Sequence, residues 1–438
     1  VLTTGQFTIP LMIRFGYQPR FAGAVEATAS MGGQIMPPVM GAVAFIMAET
    51  LGVPYSEIAL AALLPAILYY VSAFWMVHLE ASRADLKGMP KSECPNALRA
   101  LAERWHLALP LAALVYLLFT GFTPLFAGTI GLALTALLIF GSGLARGLSP
   151  GLLRIGFWIV LGLVAAALHR FGGLRIESLA LALVALVVAL AALSREGRRT
   201  QHLMLQAMAD AARSALGVGI ACALVGILIG ITTLTGLASD LTRMIISVAG
   251  DNLLLALVMT MLACLVLGTG LPTIPNYIIT SAMAAPALLE MGVPLIVSHM
   301  FVFYFGIMAD LTPPVALAAL AASSIARERH MRIALTATKI GVAGYVVPFM
   351  AVYAPALMLQ GGTWYDIIYV LVKALISIGL WGAAATGWAL GPLNWPERAF
   401  ATAAAFLLVV AAPVTDQAGF AMTVLFLAWH GWRTRQRR

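Results

Sequence analysis

The chain has 438 residues, of which 61% are hydrophobic and only 10% charged, with a formal net charge of +8. That apolar share lies well above the roughly 45–50% of soluble domains and excludes a water-soluble enzyme or binding module. The basic residues cluster between apolar runs and at the C-terminus, where they act as orientation signals and do not imply nucleic acid.

Apolar segments long enough to cross about 30 Å of hydrocarbon recur along the whole length. The chain opens at Val1 with Thr4-Gly5-Gln6-Phe7-Thr8-Ile9-Pro10, inside what reads below as a repeat, so more protein is expected to precede it. Spans are predicted at about 21–50, 56–78, 106–121, 124–144, 154–169, 176–193 and 213–235. A further set is predicted at about 294–326, 333–358, 364–390, 398–413 and 419–432. Between the sets, the stretch at about 252–292 is expected to form a re-entrant hairpin.

The positive clusters test this count. They are Arg14 and Arg20; Arg83, Lys87, Lys91, Arg99 and Arg104; Arg146; Arg195, Arg198 and Arg199; Arg327, Arg329 and Arg332; and the arginines from Arg433 to Arg438. An even number of spans separates each cluster from the next, provided that the hairpin enters and leaves by the face opposite Arg199 and Arg327. All clusters then share one side, the cytoplasmic one, and the C-terminus lies there too. Arg170 and Arg175 fall outside and are expected to snorkel.

Thr269-Gly270-Leu271-Pro272-Thr273-Ile274-Pro275 repeats the opening TGxxTIP pattern. Met31-Gly32-Gly33-Gln34-Ile35-Met36-Pro37-Pro38-Val39 is matched in kind by Met308-Ala309-Asp310-Leu311-Thr312-Pro313-Pro314-Val315. Two elements recurring in the same order mark an internal repeat, and the charge count runs the two PPV spans in opposite directions. The repeat is therefore inverted, the architecture of secondary transporters. The two TGxxTIP segments are expected to approach each other near mid-membrane, where such repeats build a site.

A proline pair within an apolar span removes two backbone donors and breaks the helix. Backbone freed at bilayer depth is tolerated only where protein, ion or water satisfies it, so both breaks are expected to line a cavity. Half-helix C-termini offer carbonyls to a cation and N-termini offer positive dipole ends to an anion. The cation-binding candidates are accordingly Thr4, Gly5, Thr8, Gly32, Gly33 and Gln34 in the first repeat, with Thr269, Gly270, Thr273, Asn276, Asp310 and Thr312 in the second. Pro37, Pro38, Pro313, Pro314 and Glu26 are the substrate-binding candidates. Asp310 reads either as an ion ligand or as a carboxylate capping local amides, and Glu26 either as a site residue or as a side chain reaching the interface. The neutral hydroxyls and the Asn276 amide suit a hard monovalent cation or a hydrogen bond to a neighbouring helix.

Lys339 and Lys373 are placed outside the site, and His299 is expected to be packed or interfacial. The histidines carry no HExxH spacing, no GxSxG turn or Walker A pattern occurs, and Cys94, Cys222 and Cys264 have neither metal nor disulfide spacing. No catalytic residue, cofactor or metal beyond the coupling cation is expected.

TTGQFTIPLM, FAGAVEATASMGGQIMPPVMGAVAFIMAE, GTGLPTIPNYI and MADLTPPVALAA resemble the large membrane subunit of the tripartite ATP-independent periplasmic (TRAP) transporters. GGQIMPPVMGA is especially similar to fused four-plus-twelve-helix permeases that work with TAXI-type solute-binding proteins. The resemblance covers about residues 1–360, with residues 361–438 similar to the extra C-terminal helices of some fused members. It implies an all-α, polytopic inner-membrane bundle of two inverted repeats with re-entrant hairpins and broken helices, moving as an elevator. It also implies a periplasmic binding protein that delivers a small organic acid, a small membrane subunit fused N-terminally or separate, and coupling to sodium or protons, with sodium the expected ion. The small-subunit helices, the first scaffold helices and the first arm of the first hairpin would precede Val1. On this reading residues 1–55 are the first repeat in part, 56–235 scaffold and connecting helices, 236–330 the second repeat, and 331–438 C-terminal scaffold and accessory helices. Two other readings are a sodium-coupled dicarboxylate carrier without a binding protein, and a membrane-embedded enzyme whose nucleophile, base and orienting group are not apparent.

Overall fold

The computed structural model describes residues 1–88, 94, 96–146, 152–170, 175–410 and 413–436. Lys91, Arg437 and Arg438 of the basic clusters lie outside them, as do residues 411 and 412 of the span expected at 398–413. In chain order the helices are α1 (Gly5–Arg14), α2 (Pro19–Gly32), α3 (Ala42–Leu51), α4 (Tyr55–Arg83), α5 (Ala97–Arg104), α6 (Leu109–Phe119) and α7 (Pro124–Arg146). They continue as α8 (Leu152–Arg170), α9 (Ile176–Ala192), α10 (Arg195–Leu234), α11 (Leu237–Ala249), α12 (Leu253–Leu267), α13 (Thr273–Met283) and α14 (Ala285–Glu290). The last are α15 (Leu295–Ala309), α16 (Leu317–Ala326), α17 (His330–Ile340), α18 (Val342–Tyr353), α19 (Trp364–Thr386), α20 (Trp395–Leu407) and α21 (Pro413–Gln436). Among the described residues the only sheet-like contact is a single bridge between Trp388 and Pro392. Among the described residues six helical stretches are long and apolar enough to cross a membrane by length and composition.

The chain divides into two compact units, Val1–Met89 with Ile220–Arg438, and Pro90–Gly219. In the second unit α7 packs against α6 and α9. Ala136, Phe140, Val187 and Ala191 form its small core. A cavity of about 1070 Å³ there, lined by Trp105, His106, Trp158 and Glu196 among others, holds none of the candidate site residues.

Both predicted breaks are present. α2 stops at Gly32 and α3 begins at Ala42, while α15 stops at Ala309 and α16 begins at Leu317, so each PPV triplet lies in non-helical chain. Each Pro-Pro bond is cis, and Met40 and Ala316, which follow the two PPV triplets directly, have left-handed φ of 53° and 45°. For residues other than glycine that conformation is uncommon and costs on the order of 1–3 kcal/mol, so the same strained geometry is kept in both repeats.

Small residues set the closest approach in the first unit. Ala22, Ala24 and Ala27 of α2 share a buried cluster with Ala318, Ala319, Ala322 and Ala326 of α16 and Ala334 and Ala337 of α17. Helices in lipid gain little from hydrophobicity and associate through close packing, which alanine and glycine allow. An added Cβ at Gly23 would lie 3.0 Å from Ile333 Cδ1 and 3.2 Å from Ala326 Cβ, so a larger side chain there would part these helices. α15 is apolar almost all round and is buried from Ile296 to Ala309, as such a helix must be when other helices surround it.

Three expected spans differ in extent; the last, expected at about 419–432, runs as α21 from Pro413 to Gln436. The helix expected at about 213–235 begins at Arg195 and runs 40 residues, roughly 60 Å, because residues 195–212 hold strong helix formers and neither proline nor a capping break before the apolar run. The span expected at 333–358 is interrupted at Gly341, where an added Cβ would meet Leu311 Cδ2 at 2.9 Å, so the absence of a side chain there leaves room for Leu311 of the second break. At the C-terminal end α19, α20 and α21 share a core of Leu380, Ala384, Ala401, Ala405, Leu408 and Phe426. Capping boxes Thr363/Asp366 and Asn394/Glu397 start α19 and α20.

Candidate functional site

The candidates of the first repeat gather around Glu26. It lies on α2, is 6% exposed, and accepts hydrogen bonds from the Thr4 hydroxyl on Oε1 and the Thr8 hydroxyl on Oε2. The Ser30 hydroxyl adds a longer contact of 3.4 Å, and an added Cβ at Gly5 would stand 3.2 Å from Glu26 Cγ. The TGxxT spacing accounts for this grouping. Residues four apart on α1 share a face, so both hydroxyls turn to one carboxylate while Gly5 lets the backbone approach. Glu26 is therefore not at an exposed interface position, and among the described residues no Lys, Arg or His forms an ion pair with it. A buried carboxylate without a counter-charge is costly, so this pocket favours a positive charge.

The second repeat is built differently. Asn276 on α13 is fully buried and donates through Nδ2 to the Gly306 carbonyl on α15 at 2.8 Å. Its amide lies between Gly268 and Gly306, where added Cβ atoms would stand 2.5 Å from Nδ2 and 3.2 Å from Oδ1. Asn276 Oδ1 is buried with no partner among the described residues, and so is Oδ1 of Asp310, one helical turn beyond Gly306. The Asp310 backbone bridges the break, its carbonyl accepting from the Ala318 amide at 3.1 Å. Gly270 has φ +76°, which glycine adopts freely, and an added Cβ would lie 3.8 Å from Val315 Cγ1, so the hairpin tip sits beside the second PPV. Buried acceptors left without donors mark a place where a cation or water completes the shell.

The other candidates are more closed. Thr269, just past α12, donates back to Leu265 O at 2.8 Å, and Thr312 donates to Met308 O at 2.6 Å and meets the Tyr345 hydroxyl at 2.6 Å. Thr273 is the first residue of α13, half-buried. Gln34 has a weak contact to Met31 Sδ at 3.6 Å, while its carbonyl closes the first break by accepting from Gly41 N at 2.8 Å. Pro37, Pro38 and Pro313 are half-buried and Pro314 is exposed. His299 is buried against the Tyr277 hydroxyl at 2.9 Å, Lys339 is exposed, and Lys373 forms a buried ion pair with Asp416 at 3.0 Å.

Four tyrosines escaped the sequence reading. Tyr69 and Tyr70 of α4 donate to the Thr28 and Ala29 carbonyls at 2.9 and 3.0 Å, closing the end of α2. Tyr55 donates to Pro38 O at 2.8 Å and to Val39 O at 3.2 Å. The first break thus has many of its carbonyls taken, contrary to the expectation that both breaks present free oxygens. One feature was visible in the sequence: Tyr345 follows Tyr69 by the same 276 residues that separate Pro37 from Pro313.

The two TGxxTIP segments reach the opposite repeats by exchange. α1 packs on α2 and α16, and α13 packs on α15 and α3, so each hairpin arm touches both broken helices. Among the described residues no three His, Cys, Asp or Glu side chains are grouped to hold a metal ion in the manner of a resident metal centre. A family model described as the tripartite ATP-independent periplasmic transporter, DctM component, matches the chain over residues 1–151 and 152–363. No curated protein matches the chain.

Proposed function

Because the chain belongs to the DctM component family of the tripartite ATP-independent periplasmic transporters, we propose that it is the large membrane subunit of a secondary carrier importing a small organic acid. A periplasmic TAXI-type solute-binding protein delivers the substrate, and a small membrane subunit, fused or separate, completes the complex. A sodium gradient drives the transport domain through an elevator movement in the bacterial inner membrane, with the C-terminus cytoplasmic. The observation that carries the coupling is the pair of buried acceptors without donors, Asn276 Oδ1 and Asp310 Oδ1, at the second hairpin and break. A dehydrated monovalent cation needs several oxygen ligands, and elsewhere this apolar chain has few to offer at depth.

The buried Glu26 carboxylate, held by the Thr4 and Thr8 hydroxyls, supports reading Glu26 on the ion side of the site and not with the substrate. The substrate carboxylate is then left to the breaks themselves, where the N-terminal ends of α3 and α16 present positive dipole ends. The test is uptake of radiolabelled organic acids into liposomes holding the full complex with its binding protein, under imposed sodium or proton gradients. Uptake driven by sodium supports the reading. Uptake driven by protons alone replaces the ion, and uptake that needs no binding protein replaces the tripartite assignment.

A further inference from the structure

We propose that Tyr69 is a positioning residue that links the two helix breaks, so that a change at one is transmitted to the other. The proposal rests on the carrier reading for its functional meaning, though its structural content does not.

Tyr69 is fully buried on α4, between the end of α2 and α18. Its hydroxyl holds the Thr28 carbonyl at 2.9 Å in the last turn of α2. One ring edge fills the space that Gly32 leaves beside the first break, where an added Cβ would lie 2.7 Å from Cε1. The opposite edge lies against Gly344 of α18, where an added Cβ would stand 3.0 Å from Cε2 and would also strike Met308, near the end of α15. The ring is thus wedged between Gly32, which ends α2, and Gly344 of α18, which itself packs against Met308 near the end of α15.

Two side links run parallel to it. The Thr28 hydroxyl donates to Ala337 O of α17 at 3.3 Å, and the next residue, Thr338, donates to Leu311 O of the second break at 3.4 Å. Tyr345 meets Thr312 there at 2.6 Å. Close-packed interiors transmit displacement because their side chains have no free volume into which to relax. If the last turn of α2 shifts, the Thr28 carbonyl carries the Tyr69 hydroxyl with it, and the ring must then press on Gly344 or give up its hydrogen bond.

Tyr70 supplies the control. It makes the same kind of bond, to Ala29 O at 3.0 Å, but lies against Gly32 and Gly33 of the first repeat. Hydrogen–deuterium exchange on the purified full-length protein separates the two. Tyr69→Phe should speed exchange both within residues 33–41 and at the Ala318 amide, which spans the second break. Tyr70→Phe should speed exchange within 33–41 alone. Thr28→Val, which removes a side link at similar shape, should speed exchange at Ala318 to a smaller degree and serves if Tyr69→Phe does not fold. Faster exchange confined to residues 33–41 in Tyr69→Phe, or in Thr28→Val in its place, would overturn the linkage.

The functional readout is the ratio of the sodium concentrations for half-maximal uptake at low and at saturating substrate. Couplings between sites usually amount to about 5–150-fold. Tyr69→Phe should bring that ratio several-fold closer to one, whereas Tyr70→Phe should leave it in place even if both half-saturation values move. Equal loss in the two variants would reduce Tyr69 to a structural residue. Wild-type protein without ion-driven uptake would sink the carrier reading, with the exchange result still deciding the linkage.

Discussion

Gly32 and Gly33 are adjacent, yet alanine should be clearly destabilising at the first and nearly neutral at the second. At Gly32 the new methyl would stand 2.7 and 2.9 Å from Tyr69 Cε1 and Cδ1 and 2.9 Å from Tyr70 Cζ, well inside contact distance. Neither ring can retreat freely, since each is tethered through its hydroxyl to a carbonyl of α2. Overpacking of this kind costs about 1–3 kcal/mol, and losing either tether while its carbonyl stays buried adds about 1–3 kcal/mol. Against this, alanine at a helical φ recovers roughly 1 kcal/mol of helix propensity, so Gly32→Ala should be destabilising by about 1–5 kcal/mol. At Gly33 the nearest atoms to an added Cβ are Ser30 O at 3.3 Å and Tyr70 Oη at 3.9 Å, and φ is −61°. The same propensity gain is then nearly unopposed, and Gly33→Ala should fall within about 1 kcal/mol of wild type. Thermal unfolding of the purified variants, compared in one detergent, measures the difference. Gly32→Ala melting with wild type, or Gly33→Ala melting lower than Gly32→Ala, would refute the account of the break as a packed seat for two tyrosines.

Asp310→Asn keeps the shape but removes the charge, so sodium half-saturation of uptake should rise by tenfold or more if the carboxylate is a ligand, and hold if it is only a cap. Thr273→Val deletes one oxygen at similar volume and should raise the same value more modestly. Glu26→Gln should weaken sodium stimulation while substrate affinity at saturating sodium changes little, and the reverse pattern would return Glu26 to the substrate. Near the C-terminal end, Lys373 and Asp416 pair at 3.0 Å with side chains only 1% and 9% exposed. Lys373→Ala alone should destabilise by about 3–5 kcal/mol because it strands a buried carboxylate, whereas Lys373→Met with Asp416→Leu should recover most of that loss on thermal unfolding.

The membrane class, the helix interruptions at both PPV triplets and the doubled TGxxTIP pattern were all legible in the sequence, because each follows from local chemistry. Apolar run length sets a span, a proline pair removes the donors that a helix requires, and a four-residue spacing puts Thr4 and Thr8 on one face. What these groups meet was decided by the tertiary structure. Glu26 lies 18 and 22 residues from Thr8 and Thr4, and no local rule says whether it reaches water or turns inward to their hydroxyls. Tyr69 and Tyr70 each lie 41 residues from the carbonyls they hold, and along α4 they are indistinguishable from ordinary core or interface aromatics. The first break was therefore expected to be as open as the second, whereas tyrosines hold carbonyls beside it and, in the second repeat, Asn276 Oδ1 and Asp310 Oδ1 are buried without partners among the described residues. Where a broken backbone finds its donors depends on which helices pack beside it, and that is a property of the whole fold, set by packing between residues far apart in the chain.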